Sequence, residues 1–498
     1  MSSTYRKLAL ALPLALGLGA CEKNFDGLNT NPNNSEVLNP AFLLSGALRA
    51  NIFRLYDVPA SQDGALLIIQ HWAKVQYTNE DRYSFRAGSY QSIWDGFYAG
   101  GVQDFNLLIR TGREQNNPNM QAVGLIMRSY FFSILTDYYG DIPYSDALRI
   151  EENVLAPKYD SQEEVYNGLL ADLKTAANQI QDNGPAVGGD ILFAGNMDKW
   201  RRFANSLRLR LAMRISDANE AKARTEVAEL LNGSAPLISN NTQNAQLVFL
   251  GASPNTNPVA VNRSTRDDHR VSRSITKRLA ALNDPRLPIY ARPAECKASN
   301  DSSVPDSTGL FRGVRNGLTN SNALGLGPLC STSKVGDAFT KADAPGVLMT
   351  YAEVLFFRAE AIARGFITGS AQTEYNNAIA ASMNQYGIVD SPTNTPVANY
   401  LAQQTVNIPI TTGNYRQVIG EQKWIALYGQ GNEAWSEWRR LDYPRLPVAA
   451  SPLGTGSRIP VRFRYPANEQ SLNTANYQAA VARQGEDLLV TKLWWDRF

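Results

Sequence analysis

Apolar side chains recur every three or four residues over long stretches of this chain, the spacing that places them on one face of an α-helix. Trp200, Phe203, Leu207, Leu211 and Ile215 form one such stripe. The stretches with this spacing are 41–52, 66–74, 91–110, 120–138, 161–181, 198–215, 348–364, 372–386 and 418–441. They predict a mainly α-helical fold built from tetratricopeptide-like helical pairs, in which no strict repeat can be aligned.

Composition changes along the chain and predicts its organisation. The predicted parts are a signal peptide at 1–20, a tether at 21–40 and a single body at 41–498, in which a helical scaffold (41–231 and 345–441) flanks a loop-rich region (232–344) and an irregular C-terminal part (442–498) follows. The loop-rich region is dominated by Asn, Ser, Thr, Gly and Pro. Because ligand contacts are concentrated on loops held by a rigid scaffold, we expect part of a binding surface there.

Two helices carry further local signals. Ser161 followed by Glu164 is the pattern of a capping box and predicts a helix start. Arg201, Arg202, Arg208 and Arg210 lie in one predicted helix and together resemble a nucleic-acid-binding face. A helix that is apolar on one side must carry polar residues on the other, so our interpretation is that these arginines are solvated or ion-paired.

The N-terminus has the layout of a bacterial lipoprotein signal. Arg6 and Lys7 precede an apolar stretch that ends in Leu18-Gly19-Ala20-Cys21, which predicts cleavage before Cys21 and attachment of lipid to that residue. The alternative is an ordinary buried helix. Pro and Gly residues interrupt the stretch, and it is too short to cross a bilayer, which needs about 20 residues.

Charge and cysteine content narrow the function classes. The chain has 48 Lys and Arg against 46 Asp and Glu, and cleavage would remove two of the basic residues. A neutral mature chain argues against nucleic acid as a partner. After lipidation of Cys21, Cys296 and Cys330 remain, and they are a candidate disulfide in an exported protein; two separate buried thiols are the alternative.

Cofactor and metal signals are weak. The chain has two histidines, His71 and His269, and they do not cluster with cysteines at the spacing of a metal site. Asp267, Asp268 and His269 could be interpreted as a metal or acid–base group, but neighbours on an extended segment point to opposite sides. We predict no cofactor and no metal centre, although calcium bound by oxygens from separate loops stays an open alternative.

Several motifs, taken in order, resemble the SusD/RagB family of nutrient-binding outer-membrane lipoproteins. The motif Tyr138-Tyr139-Gly140-Asp141-Ile142-Pro143-Tyr144 carries much of this similarity. The others lie at 198–200, 283–288, 313–318, 351–361, 431–440, 464–469 and 492–495. The resemblance covers nearly all of the predicted mature chain.

The resemblance implies more than the motifs themselves. Members of this family have an all-helical body with a loop-rich region on the ligand side. They are lipid-anchored at the outer face of the outer membrane, where they cover a SusC-like TonB-dependent transporter. They bind glycans, or in some cases peptides, and pass them on without covalent chemistry. Surface-exposed lipoproteins of this group often carry acidic or Lys-acidic residues just after the cysteine, and the sequence Glu-Lys-Asn after Cys21 departs from that pattern.

One short segment has the side chains that a sugar requires. Sugars bind to flat aromatic faces and to planar polar groups. The segment 76–83 supplies Tyr77 and Tyr83 for stacking, and Asn79, Asp81 and Arg82 for hydrogen bonds. It also lies where relatives present part of their ligand surface. A solvated loop with an Asp–Arg pair is the alternative interpretation.

The loop-rich region should supply the second part of the surface. Its candidate side chains are Arg263, Asp267, His269, Phe311 and Arg312. Trp94, Trp494 and Trp495 are instead predicted to pack in the core, because apolar neighbours surround them in sequence.

Three classes of function are compatible with a helical body of this kind. We predict a surface lipoprotein that binds an oligosaccharide nutrient and delivers it to the transporter. A peptide-binding protein of the same architecture is the main alternative. A helical glycoside hydrolase is a weaker one, because paired carboxylates suffice for that chemistry, but the sequence lacks the motifs of common nucleophilic and metal-dependent hydrolases. A protein-binding scaffold is the third class of function.

Overall fold

The computed structural model describes residues 39–300 and 306–498. The predicted signal peptide, Cys21 and nearly all of the predicted tether lie outside these described residues. Residues Ala41–Phe498 make up one compact unit. Among the helices described, none combines the length and the apolar composition needed to cross a membrane.

The described residues form mainly α-helices, as predicted. In chain order they are α1 Pro40–Leu55, α2 Leu66–Ile68, α3 Ala87–Phe97, α4 Gln103–Glu114, α5 Pro118–Tyr139, α6 Gln162–Gln179, α7 Met197–Arg214, α8 Glu220–Asn232, α9 Pro258–Arg263, α10 Arg273–Ala281, α11 Leu287–Tyr290, α12 Asn320–Leu324, α13 Asp337–Thr340, α14 Tyr351–Ala363, α15 Ala371–Asn384, α16 Pro396–Leu401, α17 Tyr415–Ala426, α18 Gly431–Leu441, α19 Ala467–Leu472 and α20 Thr474–Gln484.

Short strands connect parts of the chain that are far apart in sequence. They are β1 Trp72–Lys74, β2 Ile142–Pro143, β3 Tyr159–Asp160, β4 Ala245–Leu247, β5 His269–Val271 and β6 Gly346–Met349. They pair antiparallel as β1–β5, β2–β3 and β4–β6. In the first pair Trp72 lies opposite Val271, and Lys74 lies opposite His269. This pair fixes residues 72–74 against the loop-rich region.

Local sequence signals set the ends of the central helices. The side chain of Asn117 accepts a hydrogen bond from the Met120 amide at the start of α5, and the helix is followed by Gly140 with φ of +89°, a conformation that favours glycine. At the start of α6, Ser161 and Glu164 form the predicted capping box.

The helices pack as two groups of neighbours. In one group α4 packs on α5, α5 on α6, α6 on α7 and α7 on α8; in the other α14 packs on α15 and α17, and α17 on α18. Contact between α7 and α14 joins the two groups. This succession of helical pairs confirms the tetratricopeptide-like packing expected from the sequence.

The arginines of α7 are ion-paired, which confirms the structural interpretation of that basic stretch. Arg208 is buried and pairs with Glu226 of α8, and Arg210 is buried 2.6 Å from Glu353 of α14. Arg201 and Arg202 lie nearer the surface and pair with Asp182 and Asp198. These side chains are occupied within the protein. Trp94 and Trp495 are buried as predicted.

Four predicted elements differ from the structure. The stretch 91–110 is divided by a π-helical turn, Tyr98–Val102, that contains two glycines. The stretch 418–441 is divided between α17 and α18, where Gly429 has a positive φ. The stretch 66–74 ends as strand β1, because pairing with β5 overrides its helical pattern. The C-terminal part contains α19 and α20, which were not predicted.

Candidate functional site

The segment 76–83 lies where the first helices meet the loop-rich region. It directly follows β1, and β1 pairs with β5. The backbone amide of Val75 donates to the carbonyl of Asp268, which extends this junction by one residue. Strand pairing therefore places the segment beside the loop that precedes β5, although about 190 residues of sequence separate the two.

Tyr77 presents its ring to solvent. Its side chain is 58% exposed, and its φ of 50° puts the backbone in the left-handed region, an uncommon conformation for a residue other than glycine. The guanidinium carbon of Arg266 lies 5.5 Å from the centre of the ring. The guanidinium group therefore lies over one face of the ring.

Two side-chain amides belong to the same segment or bind directly to it. The backbone amide of Thr78 donates to Asn320 Oδ1 over 3.1 Å, which attaches the segment to the start of α12. Asn79 is exposed, and its side chain makes no hydrogen bond within the described residues. We name Tyr77, Asn79, Arg266 and Asn320 the Tyr77 surface. It offers a flat ring, a guanidinium group and two amides to a ligand.

Asp81 does not face a ligand, which corrects the prediction from sequence. Its carboxylate is fully buried and accepts hydrogen bonds from the amides of Lys74 and Gly317 and from Asn316 Nδ2. Burial raises the pKa of this carboxyl to about 6, although those donors oppose the shift. Asp81 therefore fixes the underside of the segment to the loop at 316–317.

Tyr83 and Arg82 are also held inside the protein. Tyr83 is 3% exposed, and its hydroxyl accepts the backbone amide of Ala449. Burial raises the pKa of that hydroxyl. Arg82 is half-buried, and its Nε donates to the carbonyl of Ser451. The predicted stacking role of Tyr83 is thus wrong, because the hydroxyl and ring anchor the segment to the C-terminal part.

His269 does not face a ligand either, which corrects another prediction from sequence. It is buried in a cluster of charged side chains. Its Nε2 is 2.8 Å from Asp63 Oδ1. Lys74 pairs with Asp63 at 3.0 Å, with Asp268 at 3.3 Å and with Glu80 at 3.5 Å. Burial alone would raise the pKa of Asp63, but the hydrogen bond from His269 and the charge of Lys74 lower it to about 2. The cluster stabilises the junction of β1 and β5.

The two remaining predicted arginines also make internal contacts. The guanidinium of Arg312 donates to the carbonyls of Leu326 and Ser331, so it holds its own loop together. Arg263 is partly buried, 3.6 Å from Asp267, and burial lowers its pKa. In the same region Cys296 and Cys330 form a disulfide.

Sequence reasoning missed Arg266 and Asn320. Both belong to polar stretches in which several residues have similar side chains, so no local signal separates them from their neighbours.

Among the described residues, no group of three or more His, Cys, Asp and Glu side chains is arranged to hold a metal ion.

Comparison with known proteins agrees with the observed fold. Residues 32–466 match the SusD-like family described as starch-binding and associating with the outer membrane. The chain belongs to the SusD-like family. No curated protein matches it.

Solved structures of SusD-like proteins share the fold. A chitin-binding protein is 27% identical, with a TM-score of 0.80 over 92% of this chain and all of the other. A chitin-binding SusD homolog from Flavobacterium johnsoniae is 25% identical, with a TM-score of 0.78 over 92% of this chain and 98% of the other. A SusD homolog from Bacteroides fragilis is 26% identical, with a TM-score of 0.77 over 93% of this chain and all of the other.

Proposed function

We propose that this SusD-like protein captures a glycan at the cell surface and delivers it to a SusC-like TonB-dependent transporter. The observation that carries the proposal is the Tyr77 surface in a chain of this family. An exposed ring held in place from below can stack on the apolar C–H face of a sugar. The amides of Asn79 and Asn320 and the guanidinium of Arg266 can bind its hydroxyl groups.

The Tyr77 surface is better suited to binding and releasing a ligand than to catalysis. Three of the buried groups beneath it, Asp81, Tyr83 and Lys74, are fully used in internal contacts. The segment is therefore largely preformed, which reduces the ordering cost of binding. An open surface with one stacking ring gives modest affinity and fast dissociation, as transfer to a transporter requires.

Fragments of chitin are the ligands to test first. Two of the similar solved structures are chitin-binding proteins. The acetamido group of N-acetylglucosamine both donates and accepts hydrogen bonds, so it complements the side-chain amides of Asn79 and Asn320. Starch fragments and peptides belong in the same panel, because the family is described as starch-binding and a peptide backbone offers the same polar groups.

The decisive experiment is calorimetry of the purified chain with chitin oligosaccharides, malto-oligosaccharides and peptides. Tyr77→Ala should weaken glycan binding at least about tenfold, roughly 1.4 kcal/mol, with an unchanged melting temperature. Phe42→Ala is the matched control, because Phe42 is an exposed ring on α1. Glycan binding that survives Tyr77→Ala would keep the function and reject the site. Binding of peptides alone would assign the protein to peptide capture.

The transporter is tested separately. Co-purification of the chain with a TonB-dependent β-barrel from mildly solubilised outer membranes would support the delivery step. Release of reducing ends from any of these glycans by the pure protein would instead favour a hydrolase.

A further inference from the structure

A cleft with a mixed polar and apolar lining lies beside the β4–β6 ribbon. Its volume is about 440 Å³, within the range of small-molecule sites, about 300–1,000 Å³. Its walls come from β4 and the turn before it, from the loop before β6 and from the end of α15. The lining includes the amide side chains Asn241, Asn244, Gln246, Asn384 and Gln385, together with Tyr386. We name this the amide cleft.

Two amides in the cleft are only half satisfied. Asn244 is 7% exposed. Its Oδ1 accepts the Tyr351 amide at the start of α14, whereas its Nδ2 has no hydrogen-bond partner in the part of the chain that the structure describes. Asn241 Nδ2 donates to the carbonyl of Ala381, and its buried Oδ1 has no partner. Both residues line the cleft, and each carries one polar atom without a partner among the described residues. Leaving a buried group such as Asn241 Oδ1 unpaired costs about 1–3 kcal/mol.

Two further amides are free to bind a ligand. Gln246 and Gln385 are half-buried, and neither side chain forms a hydrogen bond with any described residue. A primary amide can donate and accept at once, as a sugar hydroxyl can. Tyr386 adds an aromatic wall beside the ring of Phe339, 5.8 Å away.

The charges around the cleft balance. Lys341 and Asp343 contribute one charge of each sign, and Asp337 is ion-paired with Arg292. A ligand with a net charge would thus gain little from this site. The lining fits a neutral molecule that carries several groups able both to donate and to accept hydrogen bonds.

We propose that the amide cleft is a second binding site, specific for a neutral sugar residue and distinct in its residues from the Tyr77 surface. This inference rests on the proposed function, because it takes the ligand to be a saccharide. Two separated sites would let the protein hold different parts of one glycan or two glycans. The second site would raise the effective affinity for long chains without tight binding at either position.

The test uses N,N′-diacetylchitobiose and maltose as probes, with hydrogen–deuterium exchange and calorimetry on the purified chain. The cleft variant is Gln246→Ala with Gln385→Ala, which breaks no hydrogen bond of the described structure. The control is Gln103→Ala with Gln403→Ala, two half-buried glutamines outside the cleft whose side chains are also unbonded within the described residues. Tyr77→Ala is measured in parallel.

We expect a probe to protect residues 241–246 and 384–386 from exchange in the wild type and in Tyr77→Ala. The cleft variant should lose that protection and bind at least tenfold more weakly at one of two sites, and the control should behave as the wild type. Saccharide binding that depends on Tyr77 alone, without protection of the cleft or effect of its variant, would overturn this inference and leave the proposed function standing. Absence of binding by any saccharide of the wider panel would overturn both.

Discussion

At the scale of single residues, the candidate site depends on a few buried groups that hold exposed ones. Tyr77 can keep its left-handed backbone and exposed ring because the residues around it are fixed. Asp81 provides most of that fixation through three N–H donors from two separate segments. A carboxylate with several such donors acts as a connector between loops, not as a ligand contact.

Replacement of Asp81 tests this connection. Asp81→Ala leaves the amides of Lys74 and Gly317 and Asn316 Nδ2 without their acceptor, and each unpaired buried donor costs about 1–3 kcal/mol. We expect a loss of at least about 2 kcal/mol in the free energy of unfolding, measured by urea denaturation. The exposed neighbour Asn79→Ala is the control and should change it by less than about 0.5 kcal/mol. Equal stability of both variants would contradict the role of Asp81.

The raised pKa of Asp81 predicts that the free energy of unfolding depends on pH. Burial raises the pKa of Asp81 from 3.8 to about 6, so the folded chain keeps this proton to higher pH than the unfolded chain does. The stabilisation from the protonated form is complete below about pH 4 and is lost as the pH rises through 6. The wild type should therefore lose about 1 kcal/mol relative to Asp81→Ala between pH 5 and pH 7. A constant difference between the two proteins over that range would refute the assignment.

At the scale of the elements, buried ion pairs connect helices that are distant in sequence. Arg214 of α7 is fully buried, 2.6 Å from Asp137 of α5 and 2.6 Å from Glu433 of α18. Charges removed from water are costly unless each is paired. The pairs thus favour one arrangement of the helices over others that would bury the same apolar area.

Removal of the Arg214 guanidinium should strongly destabilise the folded protein. Arg214→Met leaves Asp137 and Glu433 as buried carboxylates without this partner, which costs about 3–5 kcal/mol. Arg110→Met on α4 is the control, because its partner Glu151 is exposed and such surface pairs contribute below about 1 kcal/mol. Thermal unfolding followed by circular dichroism measures both. Similar melting temperatures for the two variants would show that the α5–α7–α18 pairs do not determine stability.

At the scale of the whole molecule, one covalent link closes the outer part of the loop-rich region. The disulfide joins Cys296 and Cys330, which are 34 positions apart. A loop of this size predicts a stabilisation of about 3–4 kcal/mol by the chain-entropy model. The double variant Cys296→Ser/Cys330→Ser should lose that amount in urea denaturation, and reductant should bring the wild type to the same value. A reductant effect that persists in the double variant would exclude the disulfide as its source.

The predicted membrane anchor is also a property of the whole molecule. Cys21 lies outside the described residues, so lipidation remains a prediction from the Leu-Gly-Ala-Cys sequence. We expect the wild type to incorporate radiolabelled palmitate and to fractionate with outer membranes. Cys21→Ser should abolish the label and move the protein to the soluble fraction. Membrane retention of an unlabelled variant would require a different anchor.

The sequence by itself determined the features that depend on neighbouring residues. Apolar spacing predicted most long helices, and the capping box at Ser161 predicted one start, because helix hydrogen bonds and caps form within a few residues. The family motifs predicted the overall fold. At the candidate site, the sequence identified Tyr77 and Asn79 through the composition of their segment.

Only the tertiary structure decided which side chains of the site face outward. Tyr77 and Tyr83 are equivalent by sequence pattern, yet one is exposed and the other is buried against Ala449. Arg266 joins Tyr77 only because β1 pairs with β5 across about 200 residues of chain. Burial and long-range pairing depend on the packing of the entire body, and no local pattern encodes them.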